Sequence, residues 1–338
     1  MIVDDARADV EALLRRIGDE IGGPTDDGSE ATLRAYLAGG KRVRAEILLW
    51  IAVSRGTRGY EAGVRYAAFI ELMHAGGLCH DDVVDRSAQR RGQPTIARLF
   101  GSHAASTIGL FLMLRAYRLL AADSVQVRRV VAIAADHVAR GQADEMANLF
   151  NEQVEVDTYL ERCGRKTAAL FELAASLGAT AADFDDVSAD RLVRFARRLG
   201  MAFQLADDLR DFVGEAVIGR EAGTDLREGV YTYPILLTLT EERPGAAELR
   251  RLLRKIRGDV SGSEAAAVVA AICRILRDNG TLHDAWQRTR AESDQANLEL
   301  LGLDDGALRE RLGSLAEAVL SGASPSVALE AVGEECVR

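Results

Sequence analysis

Apolar residues recur at three- and four-residue spacing along almost the whole chain, and only five prolines interrupt them. That period marks helices that bury one face. The pattern predicts helices over 4–21, 29–37, 42–53, 60–84, 103–121, 125–149, 155–161, 164–178 and 188–213. It resumes over 233–240, 245–256, 262–279, 281–302, 305–320 and 325–335. Stops are supplied by Gly22-Gly23-Pro24 and Gly39-Gly40. No strand-like alternation persists, and no Pro- or Ser-rich linker divides the chain. The expectation is one all-α domain over residues 1–338, with long connections near 86–102 and 214–232. Connections of that length inside a compact domain usually serve a function.

Charge and composition remove several classes of partner. Hydrophobic residues make up 48% and charged residues 28%, which excludes a disordered chain. The net charge of -10 argues against a nucleic-acid surface. Cys79, Cys163, Cys273 and Cys336 form no CxxC pair and no disulfide framework. The opening residues MIVDDARADV lack the apolar stretch of a signal peptide, and no run of about 18 apolar residues suggests a membrane span. A cytoplasmic protein without a transmembrane segment is expected. Lysine occurs only at 41, 166 and 255 among 42 basic residues. Lys is a compact point charge where Arg is a planar fork, so the few lysines draw notice.

One acidic motif occurs twice. Asp81-Asp82-Val83-Val84-Asp85 and Asp207-Asp208-Leu209-Arg210-Asp211 are both DDxxD, and each follows an apolar helical stretch. Residues i and i+4 share a helix face, so Asp81 with Asp85, and Asp207 with Asp211, set like charges side by side. A compensating cation is implied. Hard oxygen ligands suit Mg²⁺, which is commonly shared with substrate phosphates. The rival chemistries lack their residues: there is no HExxH, GxSxG, Walker loop or GxGxxG.

Cations that could meet phosphate stand close by in sequence. Lys41, Arg42 and Arg44 follow the Gly39-Gly40 turn, at a predicted helix N-terminus that itself favours anions. Arg86, Arg90 and Arg91 follow the first acidic motif, and Lys166-Thr167 opens another predicted helix. Arg42 and Arg86 read equally well as exposed charges.

These residues carry a resemblance. GGKRVR from 39, ELMHAGGLCHDDVVDRSAQRRGQPT from 71, RGQADE from 140, RKTAALFELAASLGA from 165, FQLADDLRDFVG from 203 and GTDLREGVYTYP from 223 resemble, in order, the motifs of the trans-isoprenyl diphosphate synthases, or polyprenyl synthetases. The resemblance spans about 39–234 and implies an all-α bundle around a deep central cavity. It implies head-to-tail condensation of an allylic diphosphate with isopentenyl diphosphate, and a homodimer. Asp81, Asp82, Asp85, Asp207, Asp208 and Asp211 would bind Mg²⁺, three ions with substrate present. Arg90 would flank the allylic diphosphate, and Arg220, where the family usually has Lys, could hold a phosphate. Lys41, Arg44, His74 and Arg91 would take isopentenyl diphosphate, and Lys166, Thr167 and Gln204 would line the reacting centre.

Three departures from the family stand out. Val230 replaces a common Lys, Leu110 replaces the Asp of a Gly-Asp pair, and Ala45 replaces a Pro. The family closes its cavity early with bulky residues four and five positions before the first Asp. Here those positions are Gly77 and Gly76, which implies a geranylgeranyl or longer product, with Met73, Ile70 or Phe111 as floor. A terpene cyclase of the same fold, and a non-catalytic subunit of a heteromeric synthase, are the alternatives. The cyclase needs neither GGKRVR nor a full second DDxxD, and such subunits tend to lose the aspartates. The allylic primer is not legible in the sequence.

Overall fold

The helix predicted over 60–84 forms as α3 (Tyr60–Val84), flanked by α1 (Ile2–Gly22), α2 (Val43–Ser54) and α4 (Ile96–Leu119). The structure, a computed structural model, describes residues 2–22, 33–34, 36–37, 40, 42–90, 92–212, 222–258 and 262–321. Part of the helix expected at 29–37, the loop around 213–221 and the whole helix expected at 325–335 lie outside them. The described residues within Met1–Ile133, Leu173–Val193 and Asp304–Leu308 form one compact unit, and those within Ala134–Glu172, Arg194–Leu303 and Arg309–Arg338 form another.

In the first unit α3 is the central element, in contact with α1, α2 and α4. It is buried all round at mid-length: the consecutive Ala67, Ala68, Phe69 and Ile70, with Leu72, are excluded from solvent. The α3–α4 crossing is close because it is made of glycine. A Cβ on Gly76 would meet the Gly109 carbonyl oxygen and Met113 Cγ, each at 2.8 Å, and one on Gly109 would meet the Gly76 oxygen at 2.9 Å. A Cβ on Gly77 would meet nothing within 4 Å. Of two adjacent glycines, one packs and the other opens.

Two details differ from the sequence reading. A short antiparallel hairpin, β1 (Gln89–Arg90) with β2 (Gln93–Pro94), interrupts the all-helical pattern. Beyond it α4 begins at Ile96 rather than 103, because Thr95 Oγ1 accepts the Arg98 N–H at 3.0 Å and caps the helix. Gly101 then leaves helical geometry at φ 85°, ψ 163°, so the uninterrupted part starts where the periodicity does.

Among the described helices, α4 is the one long and apolar enough to cross a bilayer by length and composition alone. It also carries Arg98, Arg115 and Arg118 and packs along α3. Its other side exposes Leu99, Leu110, Phe111, Leu114 and Tyr117.

The chain continues through α5 (Val125–Ala147) and α6 (Val156–Cys163). A single π-helical turn, Gly164–Ala168, then joins α6 to α7 (Ala169–Ala181) without a break. π-turns of this kind concentrate at functional sites. α8 (Asp186–Arg210) follows, then the five-residue α9 (Thr224–Glu228) and α10 (Tyr233–Thr240). α11 (Ala246–Arg257), α12 (Gly262–Asp278), α13 (Thr281–Leu300) and α14 (Gly306–Leu320) complete the described chain. In the second unit α10 packs against α6, α11, α12 and α13, and its Ile235, Leu236, Leu237 and Leu239 are buried.

Candidate active site

Both acidic motifs are built alike. α3 ends at Val84 with Asp85 next, and α8 ends at Arg210 with Asp211 next. The third carboxylate of each thus follows a long helix, with its backbone N–H bonded to the oxygen of Asp81 (2.8 Å) or Asp207 (3.2 Å). A helix C-terminus carries partial negative charge, so clustering carboxylates there is doubly unfavourable unless a cation arrives.

In each motif the middle aspartate turns inward. Asp82 is 0% exposed, and its Oδ1 accepts Arg90 Nε at 2.7 Å from the hairpin. Its Oδ2 is buried and has no hydrogen-bond partner. Burial raises the Asp82 carboxyl above its usual range, with Arg90 opposing. Asp208 is also buried; Gln204 Nε2 donates to its Oδ1 at 3.0 Å, and the Tyr159 hydroxyl donates to its Oδ2. Burial pushes Asp208 up to about 7 against those two donors, with Asp207 adding to the rise. Both oxygens of Asp208 therefore serve protein donors, which makes it an anchor for its motif. Asp207, by contrast, is exposed, and Asp81 and Asp85 are half-buried.

Asp211 has a second task. Its Oδ1 accepts the Thr224 N–H at 3.0 Å and its Oδ2 the Asp225 N–H at 3.3 Å, which holds the start of α9 against the end of α8. That contact brings in Asp225, absent from the sequence reading. Its carboxyl is pushed well above the usual range, first by loss of solvent and then by Asp211, Asp208 and Asp207. Val230, the position of the missing Lys, directly follows this corner and donates its backbone N–H to the Asp225 oxygen at 2.8 Å.

The residues expected at the reacting centre do come together. Thr167 Oγ1 donates to Gln204 Oε1 at 2.7 Å, and Gln204 donates onward to Asp208. Tyr159 closes the chain from α6, and the Arg162 guanidinium lies 4.7 Å from its ring centroid. Lys166 Nζ donates to Glu145 Oε1 at 2.6 Å. Neither Tyr159 nor Glu145 was identified from sequence; Glu145 lies in the RGQADE segment and Asp225 in GTDLREG, so the motifs held the signal without assigning the residues.

The basic residues of the first unit separate into roles. Arg42 is neither an exposed charge nor a phosphate ligand in waiting. Its Nε donates to Glu11 Oε1 at 2.8 Å and its Nη1 to Glu71 Oε2 at 2.7 Å, and its Nη2 reaches the Leu37 oxygen. These ties hold its backbone at φ 51°, a left-handed conformation that a non-glycine residue adopts at a cost. Arg44 lies two residues on; burial lowers its guanidinium to about 10, partly opposed by Glu71, and it stays charged at neutral pH. A desolvated cation of this kind gains much from an anionic ligand. His74 is half-buried on α3, and Arg86 is exposed. Lys41, Arg91 and Arg220 lie outside the described residues.

Three expectations about the tail channel are revised by packing. Ile70 is fully buried among the core residues of the first unit, which leaves Met73, one turn from Gly77, and Phe111 as candidate floors. Gly76 belongs to the helix crossing. Leu110 is 54% exposed on α4, so the lost polar group there is a surface change.

The site residues fit a hard divalent cation. Every candidate ligand is a carboxylate, Asp82 keeps an orphaned buried oxygen, and several carboxylates crowd one corner of the second unit. Among the described residues no three His, Cys, Asp or Glu side chains converge tightly enough to hold an ion unaided. Mg²⁺ takes few protein ligands and completes its shell with water and phosphate.

Residues 29–272 match the polyprenyl synthetase family. The chain is 35% identical over 305 residues to "Heptaprenyl diphosphate synthase component 2" of Geobacillus stearothermophilus, covering 90% of each. A decaprenyl diphosphate synthase structure from Rhodobacter capsulatus superposes with a TM-score of 0.83 at 29% identity, covering 95% of this chain and 97% of that one. A polyprenyl synthase from Caulobacter crescentus CB15, crystallised with calcium and isoprenyl diphosphate, superposes at 0.81 with 30% identity, covering 95% and 96%.

Proposed function

Because the chain belongs to the polyprenyl synthetase family, we propose that it joins an allylic diphosphate head-to-tail to isopentenyl diphosphate, repeatedly, and releases a long trans-polyprenyl diphosphate. The observation that carries this reading is the bonded chain Thr167–Gln204–Asp208–Tyr159. It ties the residues assigned to the reacting centre to one of two matching carboxylate clusters.

Asp81, Asp82, Asp85, Asp207 and Asp211 are the proposed metal ligands, Asp82 through its unpartnered Oδ2, with Asp208 as a buried anchor. Bound Mg²⁺, three ions with substrate in place, would supply the positive charge that a departing diphosphate needs. The Lys166 ammonium meets the same developing charge from the protein side. Arg44 and His74, together with Lys41 and Arg91, hold isopentenyl diphosphate; Arg90 and Arg220 serve the allylic partner. The allylic C–O bond breaks, the double bond of isopentenyl diphosphate attacks the allylic carbon, and a proton is lost to the released diphosphate. Apolar surroundings keep water from the cation. A product longer than geranylgeranyl is supported by the open space at Gly77 and by relatives named for heptaprenyl and decaprenyl products.

Mass analysis of products from the pure chain tests the reading. With an allylic primer and isopentenyl diphosphate, a series of polyprenyl diphosphates spaced by one isoprene unit is expected, and none without isopentenyl diphosphate. A cyclic hydrocarbon from the primer alone would make the chain a cyclase. No product from the pure chain would mean that it works only with a second chain, a question sharpened by a relative whose name marks it as one component.

We also propose a homodimer, supported by the exposed apolar stripe Leu99, Leu110, Leu114 and Tyr117 on α4. A stripe of that kind on a soluble chain asks for a partner. Sedimentation at micromolar concentration should give twice the 36.5 kDa chain mass; a monomer mass would remove the proposal.

A further inference from the structure

The RGQADE segment of α5 has no task in the reaction as described, yet it lies against the π-turn that carries Lys166. Gly141 touches the turn directly: a Cβ there would meet the Lys166 backbone N at 2.6 Å and its Cα at 2.9 Å. Only glycine lets the two backbones come that close. One helical turn later two consecutive carboxylates take two consecutive cations. Asp144 Oδ2 accepts Arg165 Nη1 at 2.7 Å, and Glu145 Oε1 accepts Lys166 Nζ at 2.6 Å. The outer pair is open to solvent, with both side chains 42% exposed; the inner pair is sheltered, with Glu145 15% and Lys166 27% exposed. Glu145 Oε2 also lies 3.9 Å from Nε of the buried Arg162, which stacks on Tyr159. Glu145 thus links the Lys166 side chain to the same network that holds Asp208.

We propose that Glu145 is the positioning residue of Lys166: from α5 it fixes the ammonium beside the reacting centre before the diphosphate departs. The proposal rests on the assignment of Lys166 to that centre. A lysine side chain has a flexible four-carbon stem, and a free one would lose rotamer entropy on being held. Glu145 imposes that order in advance. An ammonium carries three N–H donors, so one carboxylate does not exhaust it. The π-turn carries Lys166, Gly141 brings α5 close, and Glu145 selects one rotamer. The geometry also suits lysine at a position where this chain's composition would favour arginine: Nζ is a compact point donor that reaches Glu145 Oε1.

The test is a double-mutant cycle on the full chain with steady-state kinetics and thermal unfolding. E145Q keeps the shape and removes the charge. It should lower kcat by about 10–100-fold, the range that misplacement by about 1 Å costs. KM for isopentenyl diphosphate should stay within about twofold and the unfolding midpoint within about 2 °C, magnitudes set by a loss confined to the transition state. E145D should restore part of the rate, and E145Q/K166A should be no slower than K166A alone. Asp136→Asn, which breaks an exposed pair with Arg140 on the same helix, should leave kcat unchanged. A parental kcat in E145Q while K166A is slow overturns the proposal and leaves the reading of Lys166 intact. A parental kcat in K166A overturns both. Full additivity in the double mutant, or loss of the folded baseline in E145Q, also counts against it, because Glu145 would then act on the fold and not through Lys166.

Discussion

Asp81→Ala and Asp207→Ala should each lower turnover by at least about 10²–10³-fold, the cost of removing one preorganised electrostatic group, with the fold intact. The two residues sit at matching places, four positions before the carboxylate that follows the end of α3 or α8. Asp207 is exposed and Asp81 half-buried, so shortening either to Ala disturbs little packing. Unfolding midpoints should stay within about 2 °C of the parent, as for surface changes generally. Asp208→Ala should behave differently. It strands the buried Tyr159 hydroxyl and the Gln204 amide, a loss of about 1–3 kcal/mol for an unsatisfied buried donor. Denaturant unfolding and steady-state kinetics on the three variants separate the roles. Near-normal turnover in both Asp81→Ala and Asp207→Ala, or full activity in excess chelator, would remove the metal assignment.

Gly77→Phe should shorten the product toward farnesyl diphosphate while the first condensation stays largely intact. Gly77 is four residues before Asp81 on the same helix and therefore shares its face. A Cβ there would meet nothing within 4 Å, so a side chain can start into the space beside Gly77 without a clash at its first carbon. Gly76 is the internal control. Gly77→Ala should stabilise by about 0.5–1 kcal/mol, the gain from removing a mid-helix glycine. Gly76→Ala should destabilise by about 1–3 kcal/mol, the cost of overpacking, because its Cβ would press on the Gly109 backbone oxygen and on Met113. Product masses and denaturant midpoints report both effects. An unchanged chain length in Gly77→Phe would show that Gly77 does not line the tail's path.

Much of this is legible in the sequence alone. Helices such as α3 and α10 coincide with their predicted ranges, because nearly continuous apolar runs that open at Gly59 and at Pro234 leave little freedom. The start of α4 was misplaced because its cap, Thr95, lies before a glycine break that hides the first turn from the periodicity. The hairpin at 89–94 was missed because two-residue strands carry no period. The two DDxxD motifs announced themselves by repetition, but repetition could not rank their aspartates.

That ranking depends on which side of a helix faces the interior and what waits there. Asp82 and Asp208 are held in place because Arg90 on the hairpin and Tyr159 on α6 reach them from outside their own helices. Arg42 became a strut rather than a ligand because Glu11 and Glu71, on two other helices, enclose it. Gly76 and Gly77 are identical in sequence terms and opposite in surroundings. Local pattern determined the helices, the motifs and the family, because periodicity, caps and charge repeats act over a few residues. Roles within the motifs were decided only by tertiary structure, because burial and hydrogen-bond partners come from segments far away in the chain.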